Sequence, residues 1–269
     1  MAKLYLVVTP IGNLNDISYR AVETLNKVDF IACENPNNSL KLLQNFNISK
    51  KLIQVNAVHE NEMSLNVINL LKEGNGVAFI SDAGFPCISD PGSTLVKHCV
   101  ENDIEVTTVG GNSAFLNALL GSDIDTTRFT FLGFLSSKPG TLKNELENYK
   151  NRCETLIFYE SSHRIVDTLN IMYEVFGERK VCVAKELTKM FETYIRFNLH
   201  KNIQLTADQQ KGEFVIIVEG SKENSVSIEV LLEKVNELIK LGLSTKSACE
   251  FIAKENNISK NALYKLIHK

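Results

Sequence analysis

Five short β-branched runs, spaced by stretches of helical apolar periodicity, fill residues 1–120 and leave few folds open to this chain. LYLVVT (4–9), DFIACE (29–34), KLIQV (51–55), GVAFIS (76–81) and IEVTTV (104–109) have the composition of strands. Between them SYRAVETLNKV, NSLKLLQNF, SLNVINLLKEG and GSTLVKHCVEND place apolar residues at i, i+3 and i+4, which predicts amphipathic helices. Strands alternating with helices build βαβ units, hence a mostly parallel sheet covered on both faces. Ser18 and Ser39 stand where caps of two helices belong, and Gly74 follows the last periodic residues of a third.

The pattern changes over 121–141, where Gly121, Gly133, Pro139 and Gly140 fall close together. Beyond it FTFLGF, TLIFYE, KVCVAK, TYIRFNL and EFVIIVEG are strand-like, with one strong helix at RIVDTLNIMYEVFG. A second α/β domain with a mixed sheet is expected over 121–222, after a first over 1–120. Polar SKENSVS (221–227) is expected to be a linker, and 228–269 a tail of three short helices opened by Ser or Thr. The expected class is therefore α/β: two α/β domains and a small C-terminal helical module.

Composition narrows the setting. The apolar runs are far shorter than the ~20 residues of a membrane span, and the start lacks the long apolar core of a signal peptide, so a cytoplasmic protein with no membrane association is expected. Six scattered cysteines show no CxxC and no finger spacing, so reduced thiols and no metal site are expected. Net charge is −3, and residues 225–269 hold seven Lys against five Glu. The tail is thus the more basic part, suited either to RNA contact or to packing with a solvated lysine face.

In open α/β sheets ligands bind outside the carboxyl ends of the strands, so the loops there hold the candidate chemistry. Thr9-Pro10-Ile11-Gly12-Asn13-Leu14 follows the first strand, and its Pro and Gly allow a tight turn against a ligand. Ser81-Asp82-Ala83-Gly84-Phe85-Pro86-Cys87-Ile88-Ser89-Asp90-Pro91-Gly92 follows the fourth and is too long and too shaped for a minimal connection. There Asp82 has the functional claim, whereas Asp90 and Pro91 are expected to start the next helix as N-cap and first residue. Gly110-Gly111-Asn112-Ser113-Ala114 turns the fifth strand into a helix. Tyr159-Glu160-Ser161-Ser162-His163-Arg164 and Lys185-Glu186-Leu187-Thr188-Lys189 end two later strands, and Gly212-Glu213 precedes the last one. Capping by Ser161 or Ser162, pairing of Arg164 with Asp167 and solvated salt bridges at Lys185 and Lys189 are the structural alternatives. GxGxxG, Walker A, GxSxG and HExxH are all absent, which removes the best support for dinucleotide, nucleotide-hydrolysing, serine-hydrolase and zinc-protease chemistry.

Taken in order, LYLVVTPIGNLNDIS, SDAGFPCISDPG, FYESSHR, KELTK and KGEFVIIVEG resemble the tetrapyrrole methylase-like (class III) S-adenosylmethionine-dependent methyltransferases. The similarity runs over about residues 1–220. TPIGNL with SDAGFPCISDPG points to the branch that methylates the ribose 2′-oxygen of a decoding-centre cytidine in 16S ribosomal RNA. The resemblance implies two α/β domains with S-adenosyl-L-methionine in the cleft between them, and a homodimer. It implies cofactor contacts for Pro10, Gly12, Asp82, Ala83, Phe85, Ile88, Ser113, Ala114, Tyr159, Leu187 and Gly212. Glu160, His163 and Arg164 would face the substrate as the catalytic set, with Lys185 and Lys189 as substrate-binding cations and 16S RNA or the small ribosomal subunit as partner.

Three positions depart from the family pattern. Glu34-Asn35-Pro36-Asn37 stands where an acidic-Asp-Thr-Arg run is usual, Gly110-Gly111-Asn112 replaces Pro-Gly-Pro, and Lys185 replaces an arginine. A tetrapyrrole (precorrin-type) methyltransferase and a non-catalytic RNA- or ribosome-binding paralogue are the rival readings. A ribose hydroxyl needs its proton removed to attack, and Glu160 and His163 are the candidate base or orienter.

Overall fold

The computed structural model describes residues 2–222, 228–256 and 259–267. The first sheet contains β1 (Lys3–Val7), β2 (Phe30–Cys33), β3 (Lys51–Gln54), β4 (Gly76–Ile80) and β5 (Glu105–Val109) in the order β3-β2-β4-β1-β5. Every pairing in it is parallel. Its crossovers are α1 (Tyr19–Lys27), α2 (Pro36–Asn45), α3 (Glu60–Lys72) and α4 (Ser93–Glu101). Ala21 and Leu25 of α1 and Leu43 of α2 pack with Val7, Ile31 and Ile80 on one face. Val67 and Leu71 of α3 and Leu95 and Cys99 of α4 pack with Leu4, Ala32 and Phe79 on the other. The connection leaving β1 therefore crosses one face and the connection leaving β4 the other, which opens a crevice at the carboxyl ends of these neighbouring strands.

Helix starts follow local chemistry, with two differences from expectation. The Ser18 hydroxyl accepts a hydrogen bond from the Ala21 amide at 3.1 Å and caps α1 as the sequence predicts. Ser39, expected as a cap, lies inside α2 and is buried; Asn35 caps that helix, accepting from the Asn37 amide at 3.1 Å, with Pro36 in its first turn. Pro at the first helical position costs no hydrogen bond, so the start moves upstream to Asn35-Pro36. Likewise α4 begins at Ser93 after Gly92, and neither Asp90 nor Pro91 starts it. Its first amides are met from α3 instead: Glu60 Oε1 accepts from Gly92 N at 2.9 Å and Thr94 N at 2.8 Å.

The second sheet contains β6 (Phe129–Phe134), β7 (Thr155–Ser161), β8 (Lys180–Lys185), β9 (Thr193–Asn198) and β10 (Glu213–Val218), ordered β6-β7-β10-β8-β9. It is mixed: β6 and β7 run parallel and the other pairs antiparallel. The continuous apolar FVIIV run is the central strand β10, buried along its length. Around this sheet lie α5 (Ala114–Leu120), α6 (Pro139–Glu147) and α7 (Ile165–Phe176). Helix α6 was not evident in the sequence, because it buries only Leu142 and Leu146 among polar neighbours.

Both sheets belong to one compact unit, Met1–Asn148 with Glu154–Glu219. A second unit, Tyr149–Cys153 with Gly220–Lys269, contains α8 (Ile228–Lys240), α9 (Thr245–Glu255) and α10 (Lys260–Ile267). Leu231, Val235, Ala248, Cys249, Ile252 and Leu263 form its own small core, and Ser244 caps α9 through the Ser247 amide at 3.1 Å. Residues 223–227 of the expected linker, with the Ser227 expected to open α8, lie outside the described residues. Among the described residues no helix is long and apolar enough to cross a membrane, and no cluster of His, Cys, Asp and Glu is placed to hold a metal ion.

Candidate functional site

The loops after β1 and β4 are tied to each other before they meet any ligand. Thr9 N donates to Gly84 O at 3.0 Å and Gly84 N donates to Thr9 O at 3.1 Å, a two-bond bridge between them. From that bridge the β4 loop turns through four left-handed residues, Gly84, Cys87, Ser89 and Gly92, with φ of 75°, 71°, 63° and 124°. A β-carbon on Gly92 would stand 2.4 Å from the Phe79 ring and 2.8 Å from Cys87 Sγ, so only glycine fits there. Left-handed backbone at two non-glycine residues is strain held by its surroundings, a feature that concentrates at binding and catalytic loops.

That loop places Asp90 on the wall of a cavity. Burial, reinforced by the charge of Glu34, pushes the Asp90 carboxyl up to about 6, with Asp82 adding to the rise and a Ser81 hydrogen bond opposing it. Glu34 is raised as well, by burial first and then by Asp82. Asp82 itself is exposed and accepts from Asn38 Nδ2 at 2.7 Å, linking the β4 loop to α2. The departure Glu34-Asn35-Pro36-Asn37 thus forms the start of α2 next to Asp82.

The second sheet supplies the opposite wall. Glu160 at the end of β7 has a side chain with 0% exposure, and both its oxygens are engaged. Oε1 accepts from Ser161 N at 2.7 Å and from Arg164 Nε at 3.0 Å, while Oε2 accepts from Thr168 Oγ1 at 2.6 Å. Arg164 also donates to Leu135 O, so its partner is Glu160 rather than Asp167. His163 is exposed at the cavity rim. Beyond β8, Glu186 and Thr188 take left-handed φ of 51° and 66°, and Glu186 Oε1 accepts from Glu213 N at 3.0 Å. This turn sits against Gly212, where a β-carbon would meet Glu186 Oε1 at 2.5 Å, and against Gly12, whose β-carbon would stand 3.1 Å from Leu187 O. Lys189 bridges Glu186 and Glu213 at 3.0 Å each, and Lys185 donates to Asp208 O.

These walls enclose a cavity of about 520 Å³ between the two sheets. Of the residues expected at the site, it gathers Ala83, Phe85, Ile88, Ser113, Ala114, Tyr159, Glu160, His163, Leu187 and Gly212. Pro10, Gly12, Asp82, Arg164, Lys185 and Lys189 are outside its lining, with Ile11 reaching the cavity from the Pro10–Gly12 turn. Asp90, Phe115 and Phe134 line it too, unforeseen in the sequence. Phe115 stacks on Phe131 at 4.5 Å, and Phe131 and Phe134 flank Tyr159 at 4.9 and 5.4 Å. Burial pushes the Tyr159 hydroxyl up to about 12 against a hydrogen bond from the Phe115 backbone, so it stays neutral and polar at neutral pH. The aromatic cluster thus lies on the mixed-sheet side, and carboxylates reach the cavity from both sides, Asp90 from the β4 loop and Glu160 and Glu213 from β7 and β10.

The same fold recurs in proteins of known structure. The fold matches the methyltransferase CobJ with a TM-score of 0.62 at 16% identity, covering 81% of this chain and 94% of that one. It matches uroporphyrin-III C-methyltransferase from Thermus thermophilus, solved with S-adenosyl homocysteine, with a TM-score of 0.58 at 14% identity over 80% and 96%. Sequence similarity goes much further. The ribosomal RNA small subunit methyltransferase I of Haemophilus influenzae is 44% identical over 97% of this chain and 94% of its own. That of Bacillus subtilis is 38% identical over 100% and 94%. The profile of the Tetrapyrrole (Corrin/Porphyrin) Methylases matches residues 3–202, a stretch that includes both sheets up to β9 and nearly all of the cavity wall. By its sequence, with a fold to match, this chain belongs to the tetrapyrrole methylase family.

Proposed function

We propose that this protein transfers the methyl group of S-adenosyl-L-methionine to the ribose 2′-oxygen of a cytidine in 16S ribosomal RNA of the small subunit. The observation that bears most weight is similarity at 38–44% identity, nearly end to end, to relatives named for small-subunit ribosomal RNA methylation. The tetrapyrrole methyltransferases of known structure match at 14–19% identity, a likeness of fold alone.

The cavity's composition fits the donor. A volume of about 520 Å³ lies in the ~300–1,000 Å³ range of small-molecule sites. Phe85, Ile88 and Phe115 offer apolar surface for a base, the Ala83–Gly84 and Gly212–Glu213 turns offer backbone polar groups, and Asp90 and Glu213 favour a cation. Pro10, Gly12 and Asp82 shape the wall from behind. When bound, S-adenosyl-L-methionine supplies a methyl group already activated on a sulfonium. The chain's task is then to position the acceptor and take up a proton.

Glu160 is poorly suited to proton uptake because an arginine, a threonine and a backbone amide occupy its oxygens; we assign it to holding Arg164 and the β7–α7 turn. Asp90 is the better base: it lines the cavity and ionises near 6, close to neutrality where Brønsted behaviour favours a base. His163, Lys185 and Lys189 belong to the substrate side in this reading, with the lysine-bearing tail as a further RNA contact.

A homodimer accompanies this reading, supported by Leu116 and Leu120, exposed one turn apart on α5. Calorimetric titration with S-adenosyl-L-methionine tests the cavity. Micromolar binding by the wild type is expected, weakened at least about tenfold in Ala114→Phe, which narrows the cavity. No binding by folded wild type overturns the proposal.

A further inference from the structure

The main cavity does not end at His163. Ser162 and His163 also line a second hollow of about 430 Å³, with Val166, Asp167, Gln204, Leu205 and Gln210. Val166 and Gln204 in turn line a third, of about 700 Å³, with Asn170, Tyr173, Lys201 and Asn202. The three are contiguous through shared wall residues. They lead from the cavity rim along α7, over about eleven residues or ~16 Å of helix.

The outer wall of this groove is built rather than loose. The Asn170 side chain clasps the 201–204 loop to α7 from both of its ends: Nδ2 donates to Ile203 O at 3.2 Å and Oδ1 accepts from Ile203 N at 2.9 Å. Further along, Thr206 and Gln209 bond reciprocally, and Gln210 Nε2 donates to Leu205 O at 2.7 Å. The surface so presented is polar and nearly charge-balanced. Lys201, His163 and Asp167 line it, and Glu174 is already paired with Lys143 at 2.8 Å. Gln204, Asn202 and Lys201 are exposed, and Tyr173 adds an aromatic ring.

Amides and hydroxyls beside an aromatic ring are the chemistry that reads unstacked bases and 2′-hydroxyls, whereas a protein strand or helix would call for an apolar stripe. We propose that the groove from His163 along α7 to Tyr173 and Lys201 is the track for the single-stranded RNA flanking the methylated nucleotide. It rests on the function proposed above. With few cations, the groove contributes register and sequence choice more than bulk affinity.

The test is steady-state methylation of small ribosomal subunits lacking the modification, comparing wild type with the double variant Lys201→Ala/Gln204→Ala. Both residues are exposed, and an unchanged Kd for S-adenosyl-L-methionine certifies the fold; if it changes, the two single variants are read instead. The expected result is a KM for subunits raised about tenfold, the loss in kcat/KM lying in KM, with naked 16S RNA losing affinity by a similar factor in filter binding. A KM within about twofold of wild type overturns the track. Loss of affinity for subunits but not for naked RNA assigns the groove to a ribosomal protein and also overturns it. If wild type binds the donor yet methylates neither substrate, the function proposed above falls and the track with it.

Discussion

Asp90 shows how much of this site depends on one carboxyl in the right backbone. In an unfolded chain an aspartate ionises near 3.9, and here burial beside Glu34 and Asp82 raises it to about 6. The folded state therefore holds that proton more tightly than the unfolded one. Its contribution to stability is full below about pH 4 and is lost as pH rises through about 6, a modest effect because the carboxyl is partly solvated. Asp90→Asn is expected to unfold at higher denaturant than wild type at pH 8 and to lose that advantage near pH 4, measured by chemical denaturation. The same variant is expected to lose kcat by at least about 100-fold and the acid limb near pH 6, and to bind the donor more weakly because a charge that favours the sulfonium is gone. At Glu160 the expected outcome is opposite in kind. Glu160→Gln leaves Arg164 without its counter-charge and costs about 2–3 kcal/mol of stability by the same measurement. The sequence marked Glu160 as chemical because four polar residues share its turn. Its burial and its three donors come from α7 and the backbone, which no short motif displays. Asp90 was hidden for the converse reason: Asp-Pro before a helical pattern reads as a cap.

At the scale of elements, strands and long amphipathic helices were legible and helix starts only partly so. Periodicity records which face of a helix is buried, and that is settled by the segment itself. Capping can be supplied from elsewhere, as when Glu60 of α3 serves the first amides of α4. Glu60→Ala is expected to destabilise by about 1–2 kcal/mol in thermal or chemical melts, although Glu60 lies thirty-odd residues from the helix it caps. Removing this remote cap also loosens the strained loop holding Asp90, so weaker donor binding should accompany the lost stability. The cavity's aromatic wall was equally hard to foresee. Phe115 and Phe134 read as ordinary core residues until α5 and β6 are set against β7. The Pro10–Gly12 turn reads in sequence as a place where the backbone approaches a ligand; what approaches Gly12 is the Leu187–Lys189 turn.

For the whole molecule, the two sheets have different roles: the parallel one presents the shaped loops and Asp90, the mixed one the aromatic cluster and the β7–α7 turn. The proposed association of two copies is tested at this scale. Leu120→Glu, placed where the side chain is 76% exposed, should leave the melt unchanged and shift sedimentation from dimer to monomer. The most direct measurement of the central claim is transfer itself. Small ribosomal subunits lacking the modification would be incubated with the protein and methyl-labelled S-adenosyl-L-methionine, and the nuclease-digested RNA read by mass spectrometry. The expected product carries one methyl group, on the ribose of one cytidine. Label on a base, or no label from a protein that binds the donor, would contradict it.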